Sequence, residues 1–152
     1  MKWIVAVAST LFGVLLHAPE VIGQELPSLI RNDLLSELRM CEPPVRTISP
    51  ASIRIVDFNG DGKPDFIIDY GELCDTFCGT GGCTHDMWVS TSGNTWIKAF
   101  SDNIRSIERT VTRQGRAVLL VDMHGSACNR MGASPCPKQI RWDGSSLSLE
   151  PR

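Results

Sequence analysis

The chain has 152 residues, 42% of them hydrophobic and 21% charged, and this composition fits one ordinary soluble domain. Its formal net charge of -2 at pH 7 excludes a strongly basic protein that holds nucleic acid or an anionic membrane through its overall charge. We therefore expect no nucleic-acid partner.

The first residues have the pattern of a secretory signal peptide. Lys2 supplies a positive start, and residues 3–16 are almost wholly apolar but too few for a comfortable membrane span. Compact residues at 21–23 predict cleavage before Gln24. An uncleaved membrane anchor is the alternative.

Cleavage would divide the chain into a signal peptide at residues 1–23 and a single β-rich domain with an N-terminal helix at residues 24–152. The expected location is periplasmic or secreted, with no transmembrane segment after cleavage. All six cysteines lie in the second region, at Cys41, Cys74, Cys78, Cys83, Cys128 and Cys136. An even number of cysteines in an exported domain predicts three disulfides. Spacing alone does not fix the pairing, and we favour Cys41–Cys74, Cys78–Cys83 and Cys128–Cys136.

Residues 27–40 show helical periodicity. The apolar residues that recur at every fourth position are Leu26, Ile30, Leu34 and Leu38. Pro43 and Pro44 end the pattern, because proline cannot continue a helix. One amphipathic helix is therefore predicted.

The remaining chain predicts about eight short strands in hairpins. They are residues 52–58, 66–70, 86–90, 95–100, 104–112, 116–123, 139–142 and 146–149. Turn residues at 92–94, 114–115 and 143–144 join three pairs of them. The expected fold class is α+β, with one N-terminal amphipathic helix packed on a mainly antiparallel, disulfide-linked β-sheet.

Residues 57–65, D-F-N-G-D-G-K-P-D, carry the strongest functional signal, and we call them the acidic loop. Oxygen-bearing side chains stand at every second position except that of Lys63. Calcium takes about six to eight hard oxygen ligands, which a tightly curved acidic loop can supply. The expected calcium ligands are the side chains of Asp57, Asn59, Asp61 and Asp65 and the backbone carbonyl of Lys63.

The acidic loop resembles the calcium loops of FG-GAP and VCBS repeats. The resemblance covers residues 56–68 and rests on D-x-N-x-D-G-x-x-D followed by an apolar strand. It implies calcium at the same five residues, and because the loop occurs once, it does not imply a propeller. A helix–loop–helix calcium site would need Glu at the twelfth loop position, where Ile68 stands. A connecting turn that binds no metal is the alternative.

The wider layout is similar to that of small bacterial exported proteins with cysteine-containing loops. The stretches that carry this likeness are residues 59–65, 77–83, 124–130 and 135–138. The likeness implies a compartment and an architecture, and it implies no activity.

Two other groups of residues suggest a zinc site and a catalytic site. Cys74, Cys78, Cys83 and His85 have the ligand types of a structural zinc site, although their spacing fits no familiar one. Asp122, His124 and Ser126 alternate at a predicted strand end and suggest a hydrolase triad, although no G-x-S-x-G elbow occurs. A secreted hydrolase and a structural zinc protein or inhibitor are therefore the alternative functions.

Arg105, Arg109, Arg113 and Arg116 form a locally basic stretch. It is predicted as a solvated face or as a weak site for acidic glycans or a partner protein.

The expected function is that of an exported, calcium-binding, disulfide-stabilised module that is not an enzyme and acts by binding or envelope interaction. We expect a monomer with an unknown protein or glycan partner.

Overall fold

The computed structural model describes residues 25–152, so the predicted signal peptide at residues 1–23 lies outside the described part. The described chain begins with helix α1 (Ser28–Glu37), which a 3-10 turn at Leu38–Met40 extends. Nine strands follow within these residues. No helix among residues 25–152 is long and apolar enough to cross a membrane.

The strands form two antiparallel sheets. Sheet 1 contains β1 (Ile53–Val56), β2 (Asp65–Asp69), β3 (Cys78–Gly79), β4 (Gly82–Ser90) and β5 (Trp96–Ile104). Its order is β1-β2-β4-β3, with β5 also pairing with β4. Sheet 2 is a meander of β6 (Ser106–Arg113), β7 (Arg116–Met123), β8 (Cys136–Trp142) and β9 (Leu147–Pro151).

The main core lies between the two sheets. It is a cluster of buried side chains that includes Ile67, Met87 and Val89 of sheet 1 and Leu119, Val121 and Ile140 of sheet 2. A second cluster packs the helical segment on the other side of sheet 1, and it includes Ile30, Leu34, Leu38, Phe66, Ile68 and Trp88. Strand alternation sends Ile67 to the first cluster and its neighbours Phe66 and Ile68 to the second. The continuous apolar run in β2 is thus explained by burial on both faces.

The predicted α+β class is wrong. The described residues are mainly antiparallel β in two sheets, and the α-helix has only 10 residues, short of the predicted amphipathic helix over residues 27–40. The prediction of one sheet failed because sheet membership depends on which distant strands pair. The chain changes sheet at Arg105, a single residue between β5 and β6, where the sequence predicts an uninterrupted strand.

The predicted disulfide pairing is confirmed. Cys41 bonds to Cys74, Cys78 to Cys83 and Cys128 to Cys136, and no free cysteine remains among residues 25–152. Three disulfides in a chain of this size are typical of an oxidising compartment outside the reducing cytosol.

Candidate functional site

The acidic loop connects β1 to β2, whose pairing brings Val56 opposite Asp65. Gly60 and Gly62 both have a φ of 78°, in the left-handed region that side chains other than glycine rarely adopt. The sequence places glycine at both bends, and the loop can therefore curl tightly over a short span.

Asp65 anchors the loop in the protein interior. Its side chain is fully buried, and its two carboxylate oxygens accept hydrogen bonds from the backbone N–H groups of Phe58 and Ser90, both at 2.7 Å. Burial raises the pKa of Asp65, and the nearby charge of Asp57 adds to this rise. The hydrogen bonds from Ser90 and Phe58 act in the opposite direction but do not cancel it. Burial, more than the charge of a neighbour, therefore disfavours the ionised form of Asp65.

Asp57 organises the first half of the loop and joins it to sheet 2. Its carboxylate accepts the N–H groups of Gly60 at 2.6 Å and Gly62 at 3.0 Å. Its backbone carbonyl accepts the N–H of Ala117, at the start of β7, at 2.6 Å. The loop thus contacts both sheets, since Asp65 is bonded to Ser90 in β4.

Asn59 and Asp61 continue the same pattern of side-chain to backbone bonds. Asn59 Oδ1 accepts the N–H of Asp61 at 3.0 Å, and Asp61 Oδ1 accepts the N–H of Lys63 at 2.8 Å. Asp61 Oδ2 accepts the hydroxyl of Ser90 at 3.0 Å. Burial would raise the pKa of Asp61, but hydrogen bonds from Lys63, Ser90 and Asn59 outweigh it and lower the pKa. Asp61 is therefore held as a carboxylate.

The chemistry of these donors fits calcium, because they are carboxylate and amide oxygens with one lysine carbonyl nearby. Each carboxylate oxygen of Asp57 and Asp65 accepts one hydrogen bond and keeps a further lone pair for a cation. Asp61 Oδ2 instead accepts two, from Asn59 and Ser90. The Lys63 ammonium donates to the Thr91 carbonyl at 3.3 Å. However, no three His, Cys, Asp or Glu side chains within residues 25–152 are arranged around one metal position. Calcium binding by the acidic loop therefore stays a prediction.

The alternative zinc set is not available in this fold. Cys74, Cys78 and Cys83 are all in disulfides, so none of them can supply the thiolate that zinc needs. His85 instead lies in the sheet, with Nδ1 at 2.8 Å from the Cys83 carbonyl and Nε2 at 3.4 Å from Asp69. The hydrogen bond from His85 is the main cause of the lowered pKa of Asp69.

The residues of the suggested triad are close in sequence but are not linked as a triad. His124 Nδ1 is 2.8 Å from Ser126 Oγ, and His124 caps the start of the 3-10 turn Gly125–Cys128. Asp122 does not bond to His124 and instead accepts the N–H of Cys136 at 2.7 Å. His124 and Ser126 line an open cavity of about 380 Å³, and Asp122 is bonded to the backbone of Cys136 at the end of the disulfide loop.

A second feature was only partly predicted from the sequence. Strand register places the side chains of Arg109, Arg113 and Arg116 on the outer face of sheet 2, opposite the core. Arg141 of β8 shares this face, because its neighbour Ile140 points into the core. We call these four residues the arginine face. Arg105, in the same basic stretch, lies apart and is 3.8 Å from Asp122.

Sequence reasoning missed Arg141 because β8 is distant in the chain from β6 and β7. The available signal was the alternation in residues 138–142, which predicts Arg141 on the polar side of its strand. A cavity of about 340 Å³ lies on this face, and its lining includes Arg113, Arg116, Gln139, Arg141, Trp142 and Glu150.

The sequence matches no protein-family model, and comparisons with curated proteins and with solved structures also find no match. The site must therefore be interpreted from its own geometry.

Proposed function

We propose that the protein is an exported binding module of the periplasm or the extracellular space, not an enzyme, and that calcium in the acidic loop stabilises it. The observation that carries the proposal is the position of the loop between the sheets. Asp65 is bonded to Ser90 of sheet 1, and the Asp57 carbonyl is bonded to Ala117 of sheet 2. A cation bound there would act on both sheets at once.

The charges of the loop support a cation. Asp57, Asp61 and Asp65 lie within nine residues, and Lys63 is the only basic side chain among them. Burial is the main cause of the raised pKa of Asp65 and the charge of Asp57 adds to it, and a bound cation would favour the carboxylate form. The likeness to FG-GAP and VCBS loops supports calcium in particular. The ligands would be the side chains of Asp57, Asn59, Asp61 and Asp65 and the carbonyl of Lys63.

The role proposed for calcium is structural. Extracellular calcium modules bind with dissociation constants of about 10⁻⁴ to 10⁻³ M. At free calcium of about 100 times such a constant, binding stabilises a fold by roughly 2.7 kcal/mol. Three disulfides and a cation would together keep a small domain rigid outside the cell, which suits a module that presents a binding surface.

Terbium luminescence tests the calcium site. Trp96 donates its indole N–H to the Pro64 carbonyl at 2.9 Å, so it lies beside the loop and can sensitise a bound terbium ion. We expect saturable emission that calcium displaces, and Asp61→Ala should weaken binding by about tenfold or more, because it removes a charged ligand.

Asp143→Ala is the matched control. Asp143 is also an exposed carboxylate that accepts backbone N–H groups in a turn, from Ser145 and Ser146, but it lies outside the acidic loop. It should leave terbium binding unchanged. Equal binding by wild type and Asp61→Ala would rule out this calcium site.

A further inference from the structure

The acidic loop lies against the first residues of β7. The Asp57 carbonyl accepts the N–H of Ala117 at 2.6 Å, and the side chain of Arg116, the preceding residue, packs on Gly60. A Cβ placed on Gly60 would lie 3.1 Å from Arg116 Cγ and 3.5 Å from Arg116 Nε. The N–H of Gly60 is itself bonded to the Asp57 carboxylate at 2.6 Å. The charge of Arg116 is therefore held beside the acidic loop.

Arg116 approaches the acidic loop without forming a direct ion pair. Among residues 25–152, its guanidinium has no carboxylate within ion-pair distance. The carboxylate of Asp57 is instead bonded to the N–H groups of Gly60 and Gly62. Arg116 therefore acts on the loop through space, by its charge, and occupies none of the oxygen atoms that a metal ion would use.

Arg116 supplies positive charge from outside the acidic loop. The loop contains one basic side chain of its own, Lys63, whose ammonium donates to the Thr91 carbonyl at 3.3 Å. A fixed positive charge opposes metal binding in two ways. It eases the repulsion among the carboxylates of the metal-free loop, and it repels the cation once that is bound. Both effects lower the affinity of the loop for a cation.

We propose that Arg116 sets the calcium affinity of the acidic loop, as a resident positive charge that opposes the bound ion. Arg116 is a positioning residue for charge and is not a ligand. Dissociation constants of about 10⁻⁴ to 10⁻³ M, typical of extracellular calcium modules, fit a loop weakened in this way. This inference rests on the calcium site proposed above, and it names the residue that regulates that site.

Titrations of the purified protein with terbium, and displacement of the terbium by calcium, test the inference in about 0.1 M salt. Arg116→Gln removes the charge and should tighten calcium binding by about threefold and terbium binding by about fivefold, because the repulsion grows with the charge of the ion. Arg116→Lys keeps the charge and should bind both ions as the wild type does. Salt at about 1 M should abolish the gain in Arg116→Gln by screening.

Arg109→Gln is the matched control. Arg109 is exposed on the same hairpin and forms no ion pair among the described residues, so its substitution makes the same change in net charge. The register places it opposite Leu120, four positions along β7 from Arg116, or about 13 Å. This exceeds the Debye length of about 10 Å at 0.1 M salt, and both affinities should stay unchanged. Circular dichroism verifies that all variants are folded.

Four results would overturn the role of Arg116 while wild-type binding is intact. They are no gain in Arg116→Gln, an equal gain in Arg109→Gln, an equal gain in Arg116→Lys, or a gain of the same size for calcium and terbium. If the wild type bound neither ion, the calcium site proposed above would fail, and the role of Arg116 with it. Wild-type binding thus distinguishes failure of this inference from failure of the calcium site.

Discussion

The outer faces of the two sheets differ in how their charges are compensated. On sheet 1, the helical segment covers the face, and Lys98 is bonded there to Asp33 of α1 at 2.7 Å and to Asp86 of β4 at 2.9 Å. On sheet 2, no helix among the described residues covers the arginine face, and Arg113 and Arg116 have no carboxylate partner. Charge on the covered face is paired within the fold, whereas Arg113 and Arg116 on the open face form no direct ion pair with a described residue.

The covered face is a closed polar network. Tyr70 donates its hydroxyl to Asp86 at 2.9 Å, and Lys98 lies 5.2 Å from the centre of the Trp88 ring. Burial, together with the charge of Asp86, raises the pKa of Tyr70 well above its usual range. Burial opposes the charge of Lys98, but bonds to Asp33 and Asp86 outweigh it and raise the lysine pKa. Tyr70 and Lys98 therefore keep the protons that their hydrogen bonds to Asp86 require.

The largest effect that we predict comes from the disulfide that fastens the covered face. Cys41 follows the helical segment and is bonded to Cys74 at a sequence separation of 33. Replacing both with alanine should lower the free energy of unfolding by about 4 kcal/mol, because the unfolded chain regains the entropy of a long loop. Urea denaturation measures this loss.

Cys78→Ala/Cys83→Ala is the control for loop length, since its sequence separation is 5. The same entropy argument predicts a loss of about 2 kcal/mol. If the two double variants lost equal stability, the long disulfide would not be what holds the helical segment to sheet 1.

The next largest effect is expected from the charge network itself. Lys98→Met leaves Asp86 buried without its cation, with the Tyr70 hydroxyl as its remaining side-chain partner. Breaking a buried pair in this way costs about 3 kcal/mol. Urea denaturation at neutral pH measures the loss. Lys138→Met, at a lysine with no ion pair among the described residues, should change stability by less than about 0.5 kcal/mol.

If Lys98→Met cost no more than Lys138→Met, the covered face would not depend on charge compensation. The contrast between the two faces would then lose its physical basis.

Local patterns in the sequence predicted the parts of the fold that depend on local physics. Turn residues located the three hairpins, and Gln114 and Gly115 indeed have the positive φ values of 51° and 78° that tight hairpin turns require. The disulfide pairing agrees with the favoured one, although spacing alone did not fix it. The division into two sheets could not be predicted, because it depends on β7 and β8 packing against β2 and β4, far away in the chain.

The candidate site was likewise predictable only in the part that depends on local sequence. The alternation of oxygen side chains identified the acidic loop, but nothing in that pattern showed that Asp65 bonds to Ser90 or that Asp57 bonds to Ala117. These contacts depend on where the loop sits between the sheets. The arginine face was predicted as a stretch of one hairpin, and its fourth member, Arg141, enters only through strand pairing.

The smallest predicted effect has the opposite sign. One substitution on the open face should stabilise the protein, whereas Lys98→Met on the covered face should destabilise it. Arg113→Gln removes one of two like charges that the register places directly opposite each other. Relief of this repulsion should raise the free energy of unfolding by about 0.3 kcal/mol. Arg141→Gln, at the arginine that is bonded to Glu150, should instead leave stability unchanged or slightly lower. Urea denaturation in low salt measures both, and high salt should abolish the gain from Arg113→Gln by screening the charges. If Arg113→Gln destabilised the protein, Arg113 would contribute to the fold in the way that Lys98 does. The two faces would then not differ in how their charges affect stability.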